Sequence, residues 1–159
     1  MESGLGISLG TRQLGIALMR NSDLIDWHVR SFPAQWSKNK LKKIVLEIEV
    51  LIDDHDVKNI AVKIPGILPT SKGFIQLMGA LNVLCEAKGI KAQYYTLKDL
   101  QQYFSPEKKV SKDTLAALLA LKHSELLTIY NKGKQRRDMY YGKIFEAVAV
   151  VSMMERTSN

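Results

Sequence analysis

Apolar residues alternate with small or polar ones through the first thirty residues. Leu5, Ile7 and Leu9 are separated by small residues, and Gly10-Thr11-Arg12 follows as a turn. Leu14, Ile16 and Leu18, then Leu24, Ile25, Trp27 and Val29, continue the pattern, with Asn21-Ser22-Asp23 between the two runs as a hairpin loop. A period of two belongs to strands, whose side chains point to the two sheet faces in turn. The spacing therefore predicts three antiparallel strands, at about 4–9, 13–20 and 24–32.

The period then changes. Leu41, Ile44, Val45, Ile48, Leu51 and Ile52 recur at helical spacing, with Lys and Glu opposite. This helix should stop ahead of Asp53-Asp54-His55-Asp56, because carboxylates oppose the dipole at a helix C-terminus. Asn59 to Ile64 is a short apolar run closed by Pro65-Gly66, as in a buried strand. Phe74, Leu77, Met78, Leu81, Leu84 and Cys85 mark a second helix ending at Lys88-Gly89. Ile90 to Tyr95 forms a fifth strand, and a short helix at 97–104 precedes Pro106. Ser111 is placed to cap a helix carrying Leu115, Leu118, Leu119, Leu121, Leu126 and Ile129. Lys132-Gly133-Lys134 interrupts it before a final helix at about 141–155. The coarse order is βββαβαβαα, which suits a mixed sheet flanked by crossover helices.

The 159 residues fit one domain, 1–159, with no linker and no repeat. A chain of this length buries roughly two-thirds of its unfolded surface and needs neither disulfide nor metal to fold. Cys85 is the sole cysteine, which points to a reduced, cytoplasmic setting. No segment has the features of a signal peptide or of a membrane helix, so no membrane partner is expected. The net charge of +7 is unevenly spread. Residues 1–60 carry eight basic and eight acidic side chains, whereas residues 61–159 carry fifteen and eight. Basic residues gather at Lys108, Lys109 and Lys112, and again at Lys132, Lys134, Arg136 and Arg137. Tyr94, Tyr95, Tyr103, Tyr130, Tyr140 and Tyr141 are interleaved. Such clusters suit phosphate contacts with base stacking; the alternative is a solvated lysine-rich face.

Several segments carry a resemblance. Gly6-Ile7-Ser8-Leu9-Gly10-Thr11-Arg12-Gln13-Leu14-Gly15-Ile16-Ala17 resembles the opening of RuvC-type Holliday-junction resolvases and YqgF-like nucleases, where a strand carrying G-I-D-P-G-T turns and returns through G-x-A. Ile60-Ala61-Val62-Lys63-Ile64-Pro65 is similar to the strand bearing the family's second acid. Gln76-Leu77-Met78-Gly79-Ala80-Leu81, Val110-Ser111-Lys112-Asp113 and Phe145-Glu146-Ala147-Val148-Ala149-Val150 resemble the three helices that follow. The resemblance spans nearly the whole chain in order. It implies an RNase H-like α/β fold: a five-stranded mixed sheet, three strands antiparallel and then two parallel, flanked by helices.

Active members of that family use four carboxylates to hold two divalent cations around a scissile phosphate. Hard cations demand oxygen ligands. Here the four matching positions are Ser8, Lys63, Lys143 and Glu146, so one carboxylate remains. An ammonium repels a cation and offers no lone pair. No catalytic residue and no metal are therefore expected. Glu146 is expected to pair with Lys63 or Lys143 where the metals would lie, the alternative being a solvated glutamate.

Other groups read plainly. Asp53, Asp54, His55 and Asp56 make a solvated turn. His28, His55 and His123 have no zinc-site spacing. Thr70-Ser71-Lys72-Gly73 is an N-cap before a helix, with a phosphate loop as the rival reading. Cys85 belongs to the core, and a Ser8–Lys63 nucleophilic pair is the remote alternative to a silent site.

The leading reading is a non-catalytic, resolvase-like binder of DNA or structured RNA, without cofactor. Phosphate contacts would come from Lys63, Lys108, Lys109, Lys112, Lys132, Lys134, Arg136, Arg137 and Lys143, and the resemblance implies a homodimer. Rival readings are an interaction module that kept only the fold, and a magnesium-dependent endonuclease with rearranged ligands, such as Glu146 with Asp138 or Asp99. The Gly-Thr-Arg hairpin also resembles the phosphate loop of actin-like kinases, but the chain is too short for their two-domain cleft.

Overall fold

In the computed structural model, residues 3–66, 71–107, 111–136 and 141–157 are described, without the side chains of 134–136 and 157. Strands β1 (Ser3–Ser8), β2 (Gln13–Arg20) and β3 (Asp23–Ser31) form an antiparallel meander. Strands β4 (Val57–Lys63) and β5 (Lys91–Tyr95) add in parallel on the other side of β1, giving the order β3-β2-β1-β4-β5. The expected five-stranded mixed sheet is present. The hairpin from β2 to β3 turns through Asn21 and Ser22 at φ 53° and 68°, the doubly positive turn that matches strand twist.

One sheet face is covered by helices α1 (Lys38–Asp54) and α2 (Lys72–Lys88). Leu5, Ile7, Leu14, Ile16, Leu18, Ile60 and Val62 point into this layer and meet Ile44, Ile48, Leu77 and Leu81. Trp36 packs against the same layer, lies on Gly73 and donates its indole N–H to Gln76 at 2.8 Å. Ser37 and Ser71 cap the two helices, and Gly89 ends α2 at φ 66°. The expected N-cap at Ser71 is therefore present; Thr70 lies outside the described residues. Cys85 is buried in this core, and burial pushes its thiol pKa up, as for an unreactive thiol.

The other face carries helices α3 (Leu97–Phe104), α4 (Lys112–Lys122), α5 (Leu127–Arg136) and α6 (Gly142–Thr157). At the centre of the sheet, the residues that β1, β2 and β4 turn toward α6 are small, Gly6, Gly15, Ala17 and Ala61, with the larger Met19 and Lys63 toward opposite ends. A Cβ on Gly6 would lie 2.1 Å from the Ala147 carbonyl oxygen, and one on Gly15 2.2 Å from that of Lys143. Both distances are far inside van der Waals contact, so α6 rests directly on the backbone of β1 and β2. Trp27 of β3 packs into this second layer with Val148, Val151 and Met154.

Three boundaries differ from expectation. Helix α1 continues through Asp53 and Asp54, because Lys88 of α2 reaches Asp53 at 2.8 Å and Glu49 at 3.6 Å and offsets their charge. The solvated turn expected there is limited to His55 and Asp56, the latter paired with Lys58 at 3.1 Å. The helix expected to run to Ile129 breaks at His123, which is extended (φ −119°, ψ 93°); one 3-10 turn, Ser124–Leu126, precedes α5. Four consecutive polar residues, Lys122-His123-Ser124-Glu125, interrupt the leucine stripe, and the bend lets Leu126 enter the core. Conversely, Lys132-Gly133-Lys134 does not interrupt: α5 passes through it, since one helical glycine costs only about 1 kcal/mol.

Candidate functional site

The approach of α6 to Gly6 and Gly15 fixes where its first turns fall. They lie over the carboxyl ends of β1 and β4, beside the point where β1 turns from an antiparallel to a parallel neighbour. Ser8 and Lys63 are register partners at those ends. Open α/β sheets place ligand sites at such a crossing.

Glu146 points into this corner. Its Oε2 lies 2.5 Å from the Lys63 ammonium, and its Oε1 accepts the Ser8 hydroxyl at 3.5 Å. The Lys63 and Glu146 side chains are only 14% and 12% exposed. The Oε2 contact is ionic rather than an aligned hydrogen bond, which leaves that oxygen dependent on the lysine charge. The expected pairing of Glu146 is thus made, with Lys63. Desolvating two charges consumes most of what their attraction returns, so the pair adds little net stability, whereas losing one partner is costly.

Lys143 stands next to this pair. Its ammonium lies over Gly10, where a Cβ would come within 3.3 Å of Nζ. Burial lowers the Lys143 pKa; Glu146 offsets this in part, while Lys63 and Lys112 push it further down. Its place in the first turn of α6 is unfavourable too, because the dipole there is already positive. Among the described residues, no carboxylate comes within 4 Å of its ammonium. Two cations, one buried pair and a helix N-terminus therefore leave a net positive corner.

The corner opens into a cavity of about 540 Å³ between α4, α5 and the start of α6. Lys63, Lys112, Lys143, Asp113 and Glu146 supply its charged lining. Leu97, Leu115, Ala116, Tyr130 and Phe145 make its walls mainly apolar. The Tyr130 and Phe145 rings meet edge to face, 6.2 Å apart at 90°.

Of the residues expected to contact phosphate, Lys63, Lys112 and Lys143 come together here. Lys132 is exposed on α5, next to the cavity residue Gly133. Lys134 and Arg136 lie on α5 with side chains outside the description, and Lys108, Lys109 and Arg137 fall outside the described residues. Tyr130 and Tyr141 line the cavity, whereas Tyr94, Tyr95 and Tyr103 border a separate concavity with Asp99; Tyr140 is not described. Asp99 closes a capping box with Thr96 at the start of α3, accepting from the Thr96 N–H at 2.8 Å, and does not line the cavity of Glu146. Asp138 is outside the described residues. Asp113, Gln13 and Phe145 were not foreseen as site residues. Strand parity could have found Gln13, which shares a face with Gly15.

The donor set does not fit a pair of divalent cations. Its one inward carboxylate is held by Lys63, and a neutral hydroxyl and two ammonium groups occupy the neighbouring positions. Among the described residues, no three His, Cys, Asp or Glu side chains gather as a metal site. No helix among them is long and apolar enough to cross a membrane.

The fold is RNase H-like, of the RuvC resolvase type. Thermus thermophilus RuvC superposes with a TM-score of 0.72 at 14% identity, over 98% of this chain and 96% of that one. RuvC from the same organism, in complex with Holliday junction substrate, gives 0.69 at 14% identity over 99% and 96%. The yeast mitochondrial Holliday junction resolvase Ydc2 gives 0.68 at 16% identity, over 94% of this chain and 75% of that one. No family model and no curated relative matches the sequence.

Proposed function

We propose that this chain binds branched or otherwise structured DNA without cutting it, in the cytoplasm and as a homodimer. The observation that carries the reading is the Lys63–Glu146 pair with Lys143 and Lys112 around it. Two-metal hydrolysis of a phosphodiester needs oxygen ligands free to take the cations; this corner offers ammonium groups instead, suited to holding a phosphate. That the fold is also the fold of RuvC bound to a Holliday junction supports a branched partner. Lys112, Lys132 and Lys143 would supply the described contacts, with Lys108, Lys109, Lys134, Arg136 and Arg137 extending them along the same part of the chain. Lys63 would act mainly by neutralising Glu146. The protein needs no cofactor for this role.

Fluorescence anisotropy with a four-way junction, matched duplex and structured RNA, at two salt concentrations and with or without magnesium, tests the reading. The junction should bind best, lose affinity steeply with salt, respond little to magnesium and remain uncut on a gel. Cleavage that requires magnesium and disappears in Glu146→Gln would make the protein a nuclease with rearranged ligands. Absence of binding to all three would favour an interaction module.

A further inference from the structure

The cavity has more apolar wall than a phosphate backbone can use. A backbone contact needs an open basic stripe, yet this recess is partly enclosed and floored by Leu97, Leu115 and Ala116. Its aromatic corner is preformed: Tyr130 and Phe145 hold each other at 90°, so a flat ring stacked on one stands perpendicular to the other. Little ordering would be needed on binding. About 540 Å³ lies within the roughly 300–1,000 Å³ range of small-ligand sites, and is far too confined for a duplex. Apolar aromatic walls beside ammonium groups match one ligand chemistry closely, a nucleobase joined to its phosphate.

We propose that the cavity takes a single extruded nucleotide, its base against Tyr130 and Phe145 and its phosphate on Lys112 and Lys143. The proposal rests on the DNA-binding reading above for the source of that nucleotide; a free nucleotide offers the same chemistry. Asp113, which also lines the cavity, is available to accept from a base amino or imino group. The arrangement would make the protein a reader of unpaired bases, favouring bulges and open branch points over paired duplex. An incoming phosphate would also relieve the crowding of Lys143 by its lysine neighbours.

The test uses the full chain and two 20-bp duplexes, one fully paired and one with a single unpaired thymine. Stacking on an aromatic ring corresponds to about a tenfold gain in affinity, so the bulged duplex should bind about tenfold tighter at equal salt. Permanganate attacks the exposed face of an unpaired thymine, and the bulged base should become protected in the complex. Ala116→Trp places an indole in the recess; the two duplexes should then bind alike and the unpaired thymine should stay open to permanganate. If that variant unfolds early, Gly133→Leu narrows the cavity from another lining position, where a Cβ makes only ordinary contact with Tyr141 at 3.5 Å. Equal affinity for the two duplexes with an unprotected thymine would overturn the proposal while leaving DNA binding intact. Failure of DNA binding itself looks different, because neither duplex binds at low salt. In that case thymidine 5′-monophosphate, compared with thymidine and with inorganic phosphate, decides. Selective binding of the monophosphate to the wild type but not to Ala116→Trp would keep the cavity assignment with a free nucleotide as ligand, and its absence would end it.

Discussion

The face of the sheet under α1 and α2 is filled by side chains, whereas the centre of the face under α6 is made by leaving them out. On the first, Leu5, Ile7, Leu14 and Ile16 interdigitate with aliphatic helix residues. On the second, Gly6 and Gly15 bring the helix backbone down onto the strands, and the layer ends in a charged corner. The two faces therefore tolerate opposite kinds of change. The close approach is also what aims Glu146 and Lys143 at Lys63, so the packing of the second face and the geometry of the site are one feature.

The sharpest way to break this contrast is to exchange the rules of the two faces. Gly6→Ala puts a Cβ against the Ala147 carbonyl and should cost about 3 kcal/mol or more, with loss of DNA binding as α6 shifts. Leu5→Ala on the opposite face should cost a similar ~2–5 kcal/mol through a cavity, yet spare binding at temperatures where it stays folded. Urea unfolding and anisotropy on the same samples measure both. Equal effects on binding at matched stability would remove the special role given to the glycine face.

Next in size is the buried pair. Lys63→Met strands the Glu146 carboxylate and should cost about 2–3 kcal/mol, scaled down from a fully buried pair because both side chains keep some exposure. Adding Glu146→Met should restore most of the loss, giving a clear coupling energy in a double-mutant cycle. Stability of Lys63→Met unchanged at every pH would mean that the contact contributes nothing.

The smallest effect has the opposite sign. Lys143→Met should stabilise the fold at neutral pH by roughly 0.5–1 kcal/mol, since it removes a cation from a helix N-terminus, while weakening DNA binding. Its pKa lies below the ordinary 10.5 in the folded state, so between those two values the unfolded chain binds the extra proton. Wild-type stability therefore gains as pH rises through that window. The variant's advantage should shrink over the same range, as read from denaturation midpoints against pH. A residue that costs stability yet serves binding is what a functional site leads one to expect.

Much of the first face was legible in the sequence, because period two and period 3.6 are direct records of which side chains are buried. The small residues between Leu5, Ile7 and Leu9 were equally visible, but nothing local tells that a helix more than a hundred residues later rests on them. The ends of the helices were the weak point. The extension of α1 through Asp53 depends on Lys88 of another helix, and the break at His123 depends on where Leu126 can be buried. At the site, Ser8, Lys63, Lys143 and Glu146 could be set out from the motifs, which made a Glu146 pairing with one of the two lysines an expectation but did not choose between them. The cavity walls could not, since Leu97, Tyr130 and Phe145 meet only through tertiary packing.

The two tryptophans sit on opposite sides of the same sheet, Trp36 in the aliphatic layer and Trp27 in the layer of α6. The chain thus carries one intrinsic fluorophore for each layer. With either indole replaced by phenylalanine, the remaining emission would time the consolidation of a single layer during refolding. The side built from interlocking side chains could then be watched separately from the side built from bare backbone.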